Sequence, residues 1–194
     1  MAFEIEDGVL NDFDSGNEEE SVVIPDGIRV IGSGAFRYCG NVKSVVIPDS
    51  VEEICDGALK ACGIRSIVIP DSVKKIESDA FSECSDLKSV VVGRGVSRLE
   101  SCTFRSCQIL EHLELPPGLE KVGYDCFEEC YTLRYAWVDG VKYRIRDSSA
   151  PKPVQLVYNS IEASRMKIVR YYESGMMDEF EYIDYCIAGD GYSF

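Results

Sequence analysis

The chain has 194 residues, 45 % hydrophobic and 28 % charged, a one-domain length at globular composition that excludes a disordered or fibrous chain. Its apolar runs are only a few residues long, which excludes a transmembrane helix, and Met1 to Leu10 (MAFEIEDGVL) lacks the basic start and apolar stretch of a secretory signal. The formal net charge of −14 is unevenly placed: residues 1–20 carry eight acidic side chains and no Lys or Arg, and a surface of that sign repels phosphate backbones and anionic lipid heads. Nucleic-acid binding and membrane insertion are therefore not expected.

The first element in chain order is a hairpin. Phe3 and Ile5 alternate with acids, Asp7-Gly8 is a two-residue turn signal, and Val9 to Phe13 continues apolar. The stretch Asp12 to Glu20 (DFDSGNEEE) has part of the spacing of a calcium loop, but its glycine falls one place early and the closing glutamate is absent. Residues 1–20 read as an acidic N-terminal cap.

Residues 21–135 hold a tandem repeat. Copies start at Val22, Val45, Ile67, Val90 and Leu113, spaced by 23, 22, 23 and 23 residues. In the second copy the recurring positions are Val45, Ile47, Pro48, Val51, Ile54, Ala58, Leu59, Cys62 and Ile64. The opening apolar-x-apolar has the period of a strand, proline stops it, and the later spacing of three to four fits a short helical turn carrying Ala-Phe and Cys inward. One such unit cannot bury its own apolar face, but stacked units can, with their strands forming a parallel sheet along one side of a solenoid.

The pattern IPxxVxxIxxxAFxxCxxL, written here by Ile69, Pro70, Val73, Ile76, Ala80, Phe81, Cys84 and Leu87, resembles the bacterial surface protein A (BspA)-like leucine-rich repeat. The resemblance covers residues 22–135. It implies an α/β solenoid of about 23 residues per repeat that serves for binding, often on microbial surfaces or as an adhesin. Three departures stand out: Gly93-Arg94-Gly95 replaces the Pro-Asp-Ser turn, a one-residue deletion follows Gly63, and no export signal is seen. Lack of a signal peptide predicts a cytoplasmic location, while the resemblance allows the cell surface.

Residues 136–194 read as a C-terminal cap. Trp137-Val138, Asp139-Gly140, then Val141, Tyr143 and Ile145 predict a second hairpin, and Ala150 to Pro153 is a break. Val154, Val157, Tyr158, Ile161, Ile168, Val169 and Tyr172 recur at helical spacing up to Gly175, and Phe180, Ile183 and Ile187 predict a second, shorter helix.

The residues for catalysis are sparse. The one histidine, His112, aligns with Ser44, Ser66 and Ser89 of other copies, an exposed position with no sign of an orienting partner, and no Gly-x-Ser-x-Gly or phosphate-binding glycine loop occurs. Cys39, Cys62, Cys84, Cys107 and Cys130 share one repeat position and predict a buried ladder of parallel thiols rather than disulfides, and the odd total of nine suits a reducing compartment. No Cys-x-x-Cys exists, and Cys102, Cys107, Cys126 and Cys130 point in different directions on neighbouring coils, so no zinc site is expected. No catalytic, cofactor or metal residue is assigned.

Binding is the remaining chemistry. Between the inward strand positions lie Val23, Val46, Val68, Val91 and Glu114, flanked by Ser21, Ser44, Ser66, Ser89 and His112. This outward stripe predicts a non-enzymatic module, adhesin-like in one form, that recognises a protein or peptide on its sheet face. An intracellular scaffold that docks through the C-terminal helices is the alternative, and an enzyme would need convergent polar groups that these positions do not supply.

Overall fold

The computed structural model describes residues 2–14, 16, 21–146 and 149–173. The chain opens with β1 (Ala2–Glu6) and β2 (Val9–Asp14), an antiparallel hairpin turning at Asp7 and Gly8, both of positive φ. Each following coil supplies a longer and a shorter strand: β3 (Ser21–Val23) and β4 (Val30–Ile31), β5 (Ser44–Val46) and β6 (Glu53–Ile54), β7 (Ser66–Ile69) and β8 (Lys75–Ile76), β9 (Ser89–Val92) and β10 (Arg98–Leu99), β11 (His112–Leu115) and β12 (Lys121–Val122). A second hairpin, β13 (Tyr135–Val138) and β14 (Val141–Arg144), and helix α1 (Lys152–Glu173) follow.

The longer strands build one seven-stranded sheet in the order β14-β13-β11-β9-β7-β5-β3, parallel except at its terminal hairpin. The shorter ones build a second wall, as a five-stranded sheet β1-β2-β4-β6-β8 continued by the pair β10-β12. The solenoid is thus flanked by two parallel sheets, where the repeat pattern had predicted one. Two-residue strands leave no alternation for a period to reveal, so the shorter set carries no sequence signature.

Between the two walls each coil runs through a turn. The proline carbonyl accepts the N–H three residues on, from Val51 to Pro48 at 3.1 Å and from Val73 to Pro70 at 3.1 Å. The proline itself offers no N–H to continue the ladder.

The far side of each coil is not the helical turn that the spacing predicted. Alternate N–H groups there leave their own coil: Gly34 donates to Asp56 O at 3.1 Å, Phe36 to Ala58 O at 2.7 Å, and Tyr38 to Lys60 O at 2.9 Å. The groups between them bond back three residues, as Ala35 does to Gly32 O at 3.2 Å. A helix bonds its N–H groups back along its own segment, whereas this arrangement satisfies alternate ones across the stack. It requires two left-handed residues per coil, at Gly34, Gly57, Asp79, Cys102 and Asp125, and again at Tyr38, Ala61, Glu83, Ser106 and Glu129. Away from glycine each such residue costs about 1–2 kcal/mol, which the inter-coil bonds and the core offset.

The core is a set of ladders along the solenoid axis. Phe3, Phe13 and Phe36 follow one another at centroid distances of 5.1 and 4.9 Å, Leu59 interrupts, and Phe81, Phe104 and Phe127 stack at 5.3 and 5.7 Å. The predicted cysteine ladder lies beside them. The Cys62, Cys84, Cys107 and Cys130 thiols point at carbonyls of the preceding coil, at 3.4, 3.1, 3.3 and 3.2 Å from Cys39, Leu59, Phe81 and Phe104. Beside the deletion only glycine fits at position 63, because a Cβ there would stand 2.1 Å from the Gly40 carbonyl oxygen.

The core is covered at both ends. β2 runs parallel to β4, pairing Val9 with Val30 and Leu10 with Ile31, so the N-terminal hairpin contains part of a further coil, with Phe13 against the Phe36 ring. At the other end β13 is the next strand of the long sheet rather than a separate cap, and β14 folds back over its edge. Helix α1 covers the last coil with buried Val154 and Val157. The Ser160 hydroxyl bonds the Gly123 carbonyl at 3.2 Å, and the Ser164 hydroxyl bonds the Asp125 carboxylate at 2.9 Å. The side chains of Ile168, Val169 and Tyr172, the second helix expected at Phe180 to Ile187, and Cys186 lie outside the described residues.

Candidate functional site

The outward positions of the long sheet come together in register. Ser21, Ser44, Ser66, Ser89 and His112 pair in one row, and Val23 with Val46 and Val68 with Val91 and Glu114 in the next. Their neighbours Val22, Val45, Ile67, Val90 and Leu113 are buried, because successive side chains in a strand leave opposite faces. Val23, Val46 and Val68 are 62 %, 50 % and 62 % exposed, values that identify an apolar stripe open to solvent. Val91 and Glu114 are half-buried, so the stripe closes partly toward the C-terminal end.

That closure comes from residues the sequence reading did not assign. The valine row continues from Glu114 to Trp137 and Lys142, and Tyr135 pairs with Arg144. The Trp137 ring packs on His112 at 4.2 Å between centroids, and the Lys142 ammonium sits over the Tyr135 ring at 4.0 Å and the Trp137 ring at 5.2 Å. His112, expected to be exposed, is half-buried by this packing, and its ring nitrogens make no hydrogen bond among the described residues. A signal for these residues was available: one more step of 23 from Leu113 reaches Ala136, and Ala136-Trp137-Val138 has the inward, outward, inward order of every earlier copy.

The stripe ends in a groove of about 180 Å³ at the C-terminal rim of β7, β9 and β11. Val68 and Val91 form its inner wall, and Pro70, Pro116 and Pro117 its turns. Arg94 crosses the rim. Its guanidinium bonds the Asp139 carboxylate at 2.9 Å and its backbone N–H bonds the Asp71 carboxylate at 2.7 Å.

The groups suited to acid–base or metal chemistry are held in other ways. Among the described residues, Glu53, Cys55 and Glu77 are the one group with donor atoms close enough for a metal, all within 4.8 Å. The Lys75 ammonium already bridges the two carboxylates, 2.6 Å from Glu53. Burial, then the Glu53 and Glu77 charges, push the Cys55 thiol up, so it stays protonated. Burial likewise raises Cys62 and Cys126 to about 12 and lifts Cys107 and Cys130 further. Protonated, buried thiols are neither nucleophiles nor ready ligands. Cys126 occupies the buried slot of Ala35, Ala58 and Ala80, and Cys102 is half-buried elsewhere on the coil. Most of the acidic stretch Asp12 to Glu20 lies outside the described residues, and no described helix is long and apolar enough to cross a membrane.

Solved structures with the same coil are bacterial leucine-rich repeat proteins. A leucine-rich repeat protein of T. pallidum is 25 % identical with a TM-score of 0.63, over 70 % of this chain and 67 % of its own. One from Eubacterium ventriosum is 19 % identical with a TM-score of 0.52, over 74 % of this chain and 49 % of its own, a likeness of fold. One from Bacteroides ovatus is 27 % identical with a TM-score of 0.49, over 62 % of this chain and 38 % of its own. No curated protein matches the chain. The sequence model of the BspA type Leucine rich repeat region matches residues 11–134 in six copies, one more than the five read above. The extra copy agrees with the partial coil formed by β2, and with two parallel walls, the phenylalanine and cysteine ladders and this match, the chain belongs to the BspA-type leucine-rich repeat family.

Proposed function

We propose that the protein is a non-enzymatic binding module whose long-sheet face recognises a protein or peptide. Val23, Val46, Val68, Val91 and Glu114 form the contact stripe, flanked by Ser44, Ser66, Ser89 and His112. The observation that supports this most is the exposure of Val23, Val46 and Val68, half or more of each side chain, in neighbouring positions of a rigid sheet. Water leaves such a surface at a gain of about 25 cal/mol per Å² when a partner covers it, and parallel strands hold the side chains in place beforehand, so little ordering entropy opposes binding. Leucine-rich repeats in general serve protein interaction, and adhesin-like display at a cell surface is one form of this reading. The test is capture of host proteins by the wild type beside Val46→Lys and Val68→Lys variants with unchanged melting curves. Partners lost from both variants support the stripe, and partners held equally by both move the contact to another face.

A second reading is an intracellular scaffold that docks through its C-terminal helical region. The eight described cysteines are free thiols, which suits a reducing compartment and supports this reading. Fractionation of the native host, with capture by a chain ending at Ser149, separates it from the first: a cytoplasmic pool and partners lost only on truncation favour the scaffold.

A further inference from the structure

The rim groove joins the exposed stripe to a carboxylate without a partner. Glu114 is half-buried between Val91 and Trp137 in the register of the sheet, and it makes no hydrogen bond or ion pair among the described residues. The cation nearest in register, Lys142, is drawn instead onto the Tyr135 and Trp137 rings. Arg94, the base on the rim, is committed to Asp139. With Asp71 and Asp139 beside Arg94, the groove carries more negative than positive charge while its wall is apolar.

The same place is where the repeat departs from its own pattern. Gly93 stands where four other copies have proline, and a Cβ there would lie 2.4 Å from the Pro70 carbonyl oxygen. Glycine lets this turn seat directly against the turn of the third coil and brings Arg94 to the rim. The groove beside this turn has a volume of about 180 Å³.

We infer that this groove receives a lysine or arginine side chain of the bound protein, its aliphatic stem along Val68, Val91 and the proline rings and its charged head at Glu114. Such a side chain suits the site because its stem is apolar and its head is cationic, and a half-buried carboxylate gains more from an incoming cation than a solvated one. The inference rests on the sheet-face reading and adds to it the chemistry of one anchor.

The test uses the full chain as bait for a displayed library of random dodecapeptides, followed by binding measurements on the selected peptides. The expected peptides carry a Lys or Arg beside aliphatic residues and are lost by Val46→Lys. Changing that basic residue to Gln, or Glu114 to Gln, weakens binding by about tenfold or more, and the two changes together cost little beyond either one. Binding through the pair also falls as salt rises. Peptides that need Val46 yet lack a basic residue, or bind the Glu114→Gln chain as well as the wild type, overturn the groove and leave the stripe standing. Peptides that need Glu114 but not Val46 keep the groove and remove the stripe. If no selected peptide depends on either residue, both readings fall.

Discussion

The two ends of the long sheet are alike inside and different outside. Under β3, β5 and β7 the inward side chains are Val22, Val45, Ile67 and Ile69, and under β11 and β13 they are Leu113, Leu115, Ala136 and Val138, all buried. Outside, the first end presents Val23, Val46 and Val68, whereas the other presents Glu114, Trp137 and Lys142 in the same row. The inward positions answer to neighbours above and below that are themselves apolar, so any departure is felt by three coils at once. The outward positions answer to solvent and to the side chains beside them in the row, which passes from valine to Glu114, Trp137 and Lys142 along the sheet.

The largest effect tests the sameness of the interior. Ile69→Lys and Leu115→Lys each bury a charge without a partner, a cost of several kcal/mol against a total stability of about 5–15 kcal/mol, and both should abolish the cooperative melt. A variant of either that melts like the wild type would show that its end of the sheet is not packed as the other is.

Ending the chain at Ser149 comes next. It uncovers the last coil by removing Val154 and Val157, both fully buried, each worth about 1.5–3 kcal/mol. Hydrogen exchange should quicken first in β11 to β13 while β5 and β7 keep their protection, because a solenoid's coils depend chiefly on their neighbours. Uniform loss of protection along the chain would mean that the two ends open as one unit.

The cysteine ladder runs the length of the solenoid and sharpens the comparison through pH. Burial raises the Cys62 thiol of the ladder, and the Cys126 thiol in the neighbouring alanine slot, from 9.0 to about 12. Between those values the unfolded chain releases protons that the folded chain keeps, so stability is complete below about pH 9 and declines above it, by about 1.4 kcal/mol per pH unit for each thiol. Cys62→Ala and Cys126→Ala should each flatten that decline in denaturant melts taken from pH 8 to pH 11. An unchanged slope would show that the thiols ionise in place. Thiol titration of denatured protein prepared without reductant should also find nine, and a lower count with monomer mass would reveal a disulfide.

The smallest effects read the outer face directly. Trp137→Ala removes the ring on which His112 and Lys142 rest and should cost about 1 kcal/mol, while Val68→Lys should stay within about 0.5 kcal/mol, since a lysine stem can lie along the neighbouring valines. Equal costs at the two positions would erase the distinction between an open and a partly closed end.

Much of this was legible in the chain. The steps of 22 and 23 residues identified the coil, and Asp7-Gly8 and Asp139-Gly140 marked both hairpins. The helical spacing from Val154 marked α1, and the common register of Cys39, Cys62, Cys84, Cys107 and Cys130 marked the ladder. The far side of the coil was misread because a spacing of three to four suits a helix and a pair of left-handed turns equally, and only Gly34 and Gly57 hinted at positive φ. In the site, the rows Val23 to Glu114 and Ser21 to His112 followed from alternation alone. Trp137, Lys142 and Arg94 did not, because a cap reading ended the repeat one strand early and an ion pair between Arg94 and Asp139 spans 45 residues.

The sequence by itself determined which side chains face inward, since alternation and repetition are local properties that each copy states anew. Tertiary structure alone decided where the N–H groups of the turns go, how far Val91 and Glu114 are covered, and which charges meet at the rim. Those depend on the rise from one coil to the next and on the way β13 and β14 close the sheet, and neither is written in any single copy of the repeat.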